Sequence, residues 1–102
     1  MLYVEYRAEV MVADMEEYHK LMAQLLKFVN KHGAETLGVW RTAVGDRQEI
    51  VILERYNNMG HFEEVRAKIE KEPGVKDLLT RLGRIRKVWS KLMTPVSYSP
   101  MQ

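Results

Sequence analysis

Three histidines, His19, His32 and His61, are the side chains of this sequence best suited to moving a proton near neutral pH. No two of them stand four residues apart, as a metal pair on one helix face must, and no carboxylate cluster accompanies them, so no metal centre is expected. His19 falls at the edge of an apolar stripe. His32 falls at the last turn of the same helix, where an imidazole bonds to free carbonyls and favours the negative end of the dipole. His61 opens a second helix beside Phe62, from where it can face a space between helix and sheet and act as a general base. Tyr6, Tyr18 and Trp40 are the aromatic side chains expected to line that space with it. Trp40 and Trp89 both lie in strand-like segments, the usual place of a core tryptophan. There is no cysteine, and Ser90, Ser97 and Ser99 lack a histidine and acid arranged for nucleophilic catalysis. No glycine-rich phosphate loop occurs.

The remaining chemistry is charge. Glu5, Arg7 and Glu9 share one strand face with Tyr3. If that face is covered, ion pairs must form, because an unpaired buried charge is expensive. Arg55, on the Val51 side of a later strand, is the candidate partner for one of these glutamates. A charged ligand site at the same place is the functional alternative. The run Arg81, Arg84, Arg86, Lys87, Lys91 is the densest basic stretch; with no interleaved aromatic ladder it reads as a solvated face.

These residues are positioned by elements that the pattern makes legible. Residues 2–10 alternate, with Val4, Tyr6, Ala8 and Val10 on one face, and read as a strand. Asp14 and Glu17 have capping-box spacing ahead of a helix over about 15–32, whose Met15, Tyr18, Leu21, Met22, Leu25, Leu26 and Val29 fill one broad arc. Gly33 ends it. Thr36 to Thr42 alternate as a strand, Val44-Gly45-Asp46 is turn chemistry, and Glu49 to Tyr56 is a strand apolar on both faces. Ile50 and Ile52 lie on one face, Val51 and Leu53 on the other, so each face needs a cover. Asn57 or Asn58 caps a second helix to about residue 71, Pro73-Gly74 breaks it, and helix resumes over 75–82 with Gly83 as its stop. Residues 83–93 fit either a continued helix or a strand. A strand at 86–93 closes the open sheet edge and is the reading adopted. The tail, about 95–102, is expected to be flexible and extended, with prolines that bar it from a central strand.

Composition sets bounds. A chain of 102 residues has room for one domain, 1–102, and 46% hydrophobic residues build only a small core. Sixteen basic side chains against fourteen acidic ones leave a net charge of +2, too little to imply nucleic acid or an anionic membrane. MLYVEYRAEV has no basic region followed by an apolar run, so no signal peptide is expected. The absence of cysteine fits a cytoplasmic protein.

His32-Gly33-Ala34, Gly38-Val39-Trp40, Thr42, Val44-Gly45, Glu49-Ile50-Val51 and Arg55-Tyr56-Asn57 resemble the NIPSNAP family, a branch of the dimeric α+β barrels. Glu5-Tyr6-Arg7 resembles that family's Glu-hydrophobic-Arg opening, and Leu92-Met93-Thr94-Pro95 with Ser99-Pro100 its ending. The resemblance implies an α+β, ferredoxin-like βαββαβ unit with an antiparallel four-stranded sheet. It also implies face-to-face pairing of two sheets into a dimeric α/β barrel, with a pocket beneath the helices. It carries no shared reaction and no cofactor. Glu9 stands where the family usually has an aromatic residue, Phe62 where an arginine is common, and Trp89 where a polar residue is more usual. Haem-degrading relatives use an Asn-Trp-His set; Asn58, Trp40 and His61 are the right types in a different arrangement along the chain.

Two functional readings follow. One is a homodimeric domain that holds a small apolar or aromatic ligand or serves as an interaction module, its interface built from Glu5, Arg7, Val51, Leu53 and Arg55. The other is a cofactor-independent monooxygenase acting on an aromatic substrate, with His61 as base.

Overall fold

In a computed structural model, which describes residues 1–102, the alternating N-terminal segment is strand β1 (Leu2–Val10) at the centre of the sheet. It pairs antiparallel along both edges, with β3 (Glu49–Tyr56) on one side and β4 (Arg86–Met93) on the other. Strand β2 (Glu35–Arg41) adds to the far edge of β3, giving the order β2-β3-β1-β4. Helices α1 (Met15–Lys31), α2 (Met59–Glu70) and α3 (Val75–Ile85) complete a ferredoxin-like α+β fold.

Local chemistry explains most boundaries. A single 3-10 turn, Val12–Asp14, leads into α1, and Asp14 makes no side-chain cap there; the expected capping box does not form. Asn58 does cap α2, its Oδ1 accepting from the backbone N–H of His61 at 2.8 Å. Gly33 ends α1 at φ +111°, a conformation that side chains rarely adopt. The β2–β3 turn is closed by Thr42, whose Oγ1 accepts from Glu49 N–H at 3.0 Å. Gly83 is not a stop. It lies inside α3, which runs on to Ile85 and passes at once into the extended Arg86 with φ −139° and ψ 153°. Leu82 and Ile85 pack on the core, and their burial outweighs the weak helix propensity of one glycine.

All the helices lie on one side. Val4, Ala8, Val10, Ile50 and Ile52 face them and are buried, together with Tyr18, Leu21, Val65 and Leu82 from the helices. The opposite face is open. There the registers align Trp40, Val51, Arg7 and Trp89 in one row across all four strands, with Gly38, Leu53, Glu5 and Lys91 in the next. Trp40 is 54% exposed and Trp89 48%, so neither is a core residue of the single chain, contrary to the expectation for strand tryptophans. Arg55 on this face pairs with Glu35 of β2 at 2.6 Å rather than with a glutamate of β1. Glu5 is instead met by Arg7 and Lys91, and Glu9 by Arg47. Neighbours within one chain meet these charges, across strands for Arg55–Glu35 and Lys91–Glu5, along β1 for Arg7 and from the β2–β3 turn for Arg47. From the tail, Gln102 accepts a hydrogen bond from the Tyr3 hydroxyl at 3.0 Å and helps bury that ring. With one helix layer and one sheet layer the molecule is flat, 42 × 37 × 16 Å. Its radius of gyration is 14.2 Å, against about 13 Å for a globule of this length.

Gly33→Ala is expected to destabilise the fold by about 1–3 kcal/mol, because its φ is positive and the new Cβ would stand 3.1 Å from His61 Nε2. Urea denaturation measures it; an unchanged midpoint would mean that the turn relaxes without cost.

Candidate functional site

Between the sheet and the helices the packing is incomplete. A cavity of about 310 Å³ lies over β1 and β3, under α1 and α2, and reaches the outer strand β4. Exposed residues at its rim, Arg66 and Glu70 of α2, Leu79 of α3 and Val88 and Leu92 of β4, place the mouth between α2 and the outer strand. Most of the wall is apolar, from Val4, Met22, Leu25, Val29, Ile52 and Phe62 among others. Its size suits a small ligand, at the lower end of the roughly 300–1,000 Å³ usual for such sites.

A few polar groups converge on this apolar space. Tyr6 of β1 and Glu54 of β3 sit on the helix-facing side, on adjacent strands one register step apart. Glu54 is buried, and its Oε1 accepts from the Tyr56 hydroxyl at 2.9 Å. Burial pushes the Glu54 carboxyl above its ordinary pKa, with the Tyr56 hydrogen bond opposing the shift. Tyr6 is pushed up to about 12 by burial first and by the Glu54 charge second, against the pull of Arg66 and Arg86. Tyr56 is raised by burial and by Glu54. These phenols are donors across the physiological range.

Arg86 and Tyr18 form the other polar group. Arg86 opens β4 opposite Val10, six residues along β1 from Val4, the residue opposite Glu54. The two charges therefore stand towards opposite ends of the cavity. Burial raises the Tyr18 hydroxyl, and the Arg86 guanidinium beside it opposes that by its charge first and its hydrogen-bonding approach second, although neither the hydroxyl nor Arg86 Nε completes a well-aligned bond. The Tyr18 hydroxyl and Arg86 Nε are the buried side-chain polar atoms without a partner.

Of the four residues expected at the pocket, Tyr6 and Tyr18 line this cavity and Trp40 and His61 do not. Trp40 is on the other side of the sheet, because it is in register with Val51 rather than Ile52. His61 is held at the start of α2: Nδ1 accepts from Asn57 N–H at 2.9 Å, and the ring packs edge-on to Tyr56 at 5.5 Å. That pairing turns it towards Gly33 and away from the cavity. His32 bonds to Glu72 at 2.7 Å instead of to helix carbonyls. No group of three or more potential ligands is arranged to hold a metal ion. Glu54, Tyr56, Arg66 and Arg86 were missed in the sequence. One signal was available: Glu54 occupies a helix-facing position between Ile52 and Tyr56, a charge in a run otherwise apolar on that side.

The family model described as NIPSNAP matches residues 7–100. The chain belongs to the NIPSNAP family. Among solved structures it is similar to a NIPSNAP domain protein from Burkholderia xenovorans, with 18% identity, a TM-score of 0.82, and 98% of this chain and 99% of that one covered. A NIPSNAP family protein from Agrobacterium tumefaciens is similar over all of both chains, at 19% identity and a TM-score of 0.82. SnoaB of Streptomyces nogalater, a cofactor-independent oxygenase, is similar at 17% identity and a TM-score of 0.71, over 97% of this chain and 96% of that one. At such identities the likeness is one of fold. No curated protein matches the sequence. No helix of this NIPSNAP chain is long and apolar enough to cross a membrane.

The raised Glu54 carboxyl has a consequence for stability. Folded Glu54 holds its proton to higher pH than the unfolded chain does. Stability must therefore fall as pH rises from the ordinary carboxylate range through the raised folded value. Glu54→Gln keeps an acceptor for Tyr56 and removes the charge. It is expected to flatten that decline and to be at least as stable as wild type at neutral pH. Urea midpoints between acid and neutral pH check this; an unchanged slope in the variant would assign the decline elsewhere.

Proposed function

We propose that this NIPSNAP protein is a homodimeric, cytoplasmic small-molecule-binding domain, with one ligand in the cavity of each subunit. One observation carries the binding reading: an apolar cavity of about 310 Å³ with buried polar groups converging on it. A purely structural layer would be expected to pack such a space closed. The dimer reading rests on the open face. Trp40, Val51, Leu53 and Trp89 make an apolar band, and Glu5, Arg7 and Arg55 already have partners, so a second copy can cover this face without burying bare charge. Apolar centres with polar surrounds are the ordinary anatomy of such interfaces. The cysteine-free composition suits a reducing compartment.

Light scattering is expected to give twice the 12.0 kDa chain mass at micromolar concentration. Leu53→Asp is expected to yield monomer, since it places a carboxylate from each subunit in the interface, opposite Gly38 and Glu5 and with no cation directly across either strand, at a cost of several kcal/mol. A wild-type monomer, or a variant dimer, would remove the proposed interface.

A second reading, a cofactor-independent monooxygenase for an aromatic substrate, is favoured by the buried Glu54 carboxyl in the cavity wall. Glu54 takes the role of base that the sequence suggested for His61, whose ring is engaged elsewhere. An activated aromatic would give up two hydrogens, gain one oxygen atom from O₂ and release the other as water. SnoaB, on a similar fold, is a cofactor-independent oxygenase. Oxygen uptake with a hydroquinone panel is the measurement. Turnover is expected to fall by about 100-fold or more in Glu54→Gln, the usual size of a lost general base. Absence of wild-type turnover would end this reading for that substrate class and leave the binding reading standing.

A further inference from the structure

We propose that the cavity is built for an amphipathic acid: a small molecule whose carboxylate meets Arg86 and Tyr18 and whose apolar body runs towards Phe62 and Tyr56. This rests on the ligand-binding reading above and adds the ligand's chemistry and orientation.

The inference starts from two neighbouring donors that approach each other but have no anion between them. Tyr18 is 1% exposed and its hydroxyl has no partner. Arg86 Nε is buried and likewise has none. Both residues line the cavity. Buried polar groups are nearly always satisfied, so two such atoms side by side call for an acceptor. Arg86 also lacks a counter-ion. It takes part in none of the chain's ion pairs, and its guanidinium hydrogen bond from Nη1 goes to Met22 Sδ at 3.5 Å, a weak acceptor. A half-buried guanidinium against apolar walls is costly until an anion reaches it.

The donor set selects the head group. A guanidinium and a phenol O–H, adjacent in the cavity lining, match the two oxygens of a carboxylate. An alcohol or ether would satisfy one donor and leave the positive charge bare. A cationic ligand is repelled. A phosphate dianion would bring a second charge to a site that supplies one buried guanidinium. Of the two acids that line the cavity, the buried one, Glu54, is far from this end, across from Val4 while Arg86 is across from Val10, and Glu70 of α2 stands at the mouth. The ligand's charge therefore avoids the protein's own carboxyl. Between them lies the apolar stretch of the cavity, with Phe62 at its far end and Arg66 stacked on that ring at 5.5 Å near the mouth.

Calorimetric titration of the full chain with matched acid and alcohol pairs tests this: 3-phenylpropionate against 3-phenylpropanol, and octanoate against octanol. Each acid is expected to bind about tenfold or more tighter than its alcohol, the worth of a charge-assisted hydrogen bond to a buried partner. Arg86→Met should abolish that advantage, bringing the affinity of each acid down to that of its alcohol. Tyr18→Phe, which deletes only the hydroxyl, should weaken acid binding by about three- to tenfold. If Arg86→Met fails to fold by circular dichroism, the wild-type ratio and Tyr18→Phe still decide. Acids and alcohols bound equally well, or an acid preference that survives both substitutions, would overturn the head-group assignment and leave the cavity as a neutral-ligand site. Binding of neither series would remove the ligand-binding reading itself, and this inference with it.

Discussion

Strand β1 is hydrogen-bonded along both of its edges, and that constraint organises the rest of the molecule. A strand held on two sides can send its side chains in only two directions, alternately. Val4, Tyr6, Ala8 and Val10 must therefore go to the helices, and Tyr3, Glu5, Arg7 and Glu9 to the other side. Register then fixes the neighbours. Because Arg7 faces both Val51 and Trp89, and Val51 faces Trp40, the open side acquires a row with a tryptophan at each end. Because Ala8 faces Ile50 and Tyr6 faces Ile52, the helix side acquires its floor. Slipping β1 by one residue would exchange the two inventories, putting four polar side chains under α1.

The same alternation explains what the sequence made legible. Strand β1, the amphipathic arc of α1, the turn at Gly33 and the two-faced β3 are local patterns, and each could be read from neighbours in the chain. Residue 83 was harder. A glycine after a helical run is a frequent stop, but here Ile85 two residues later has core to bury, and tertiary packing carries the helix past it. The placement of site residues was hardest, because it depends on which face a register assigns. Trp40 and Tyr6 are both strand aromatics; one looks away from the cavity and the other into it. His61 fell on the correct helix end, but the free Asn57 N–H offered its ring a closer partner than any ligand. Glu54 and Arg86 are invisible to a search for familiar catalytic sets, since neither has a local motif.

Burial gives those two residues their meaning. A lone ionised carboxyl inside a protein is expensive, and Glu54 meets that cost partly by accepting from Tyr56 and partly by favouring its protonated form. Arginine has no such escape, because it stays protonated at any pH a protein survives. Arg86 has no carboxylate within ion-pair reach, and its half-buried charge is left to water or to the proposed ligand. The two charges are thus not equivalent features of a polar pocket. Glu54 is settled within the chain, whereas Arg86 is not.

Strand β4 ties this asymmetry to the open face. Its odd-numbered residues, Lys87, Trp89 and Lys91, align with Glu9, Arg7 and Glu5 on the open side, while Arg86, Val88, Ser90 and Leu92 border the cavity. As an edge strand it is held by β1 alone. Anything that covers the open face therefore presses on the outer wall of the cavity through the same eight residues. Coverage would also bury Trp89, which touches both the cavity rim and the charged hollow formed by Glu5, Arg7 and Arg47. A second copy on the open face and a ligand beneath the helices, as proposed above, would therefore both bear on β4.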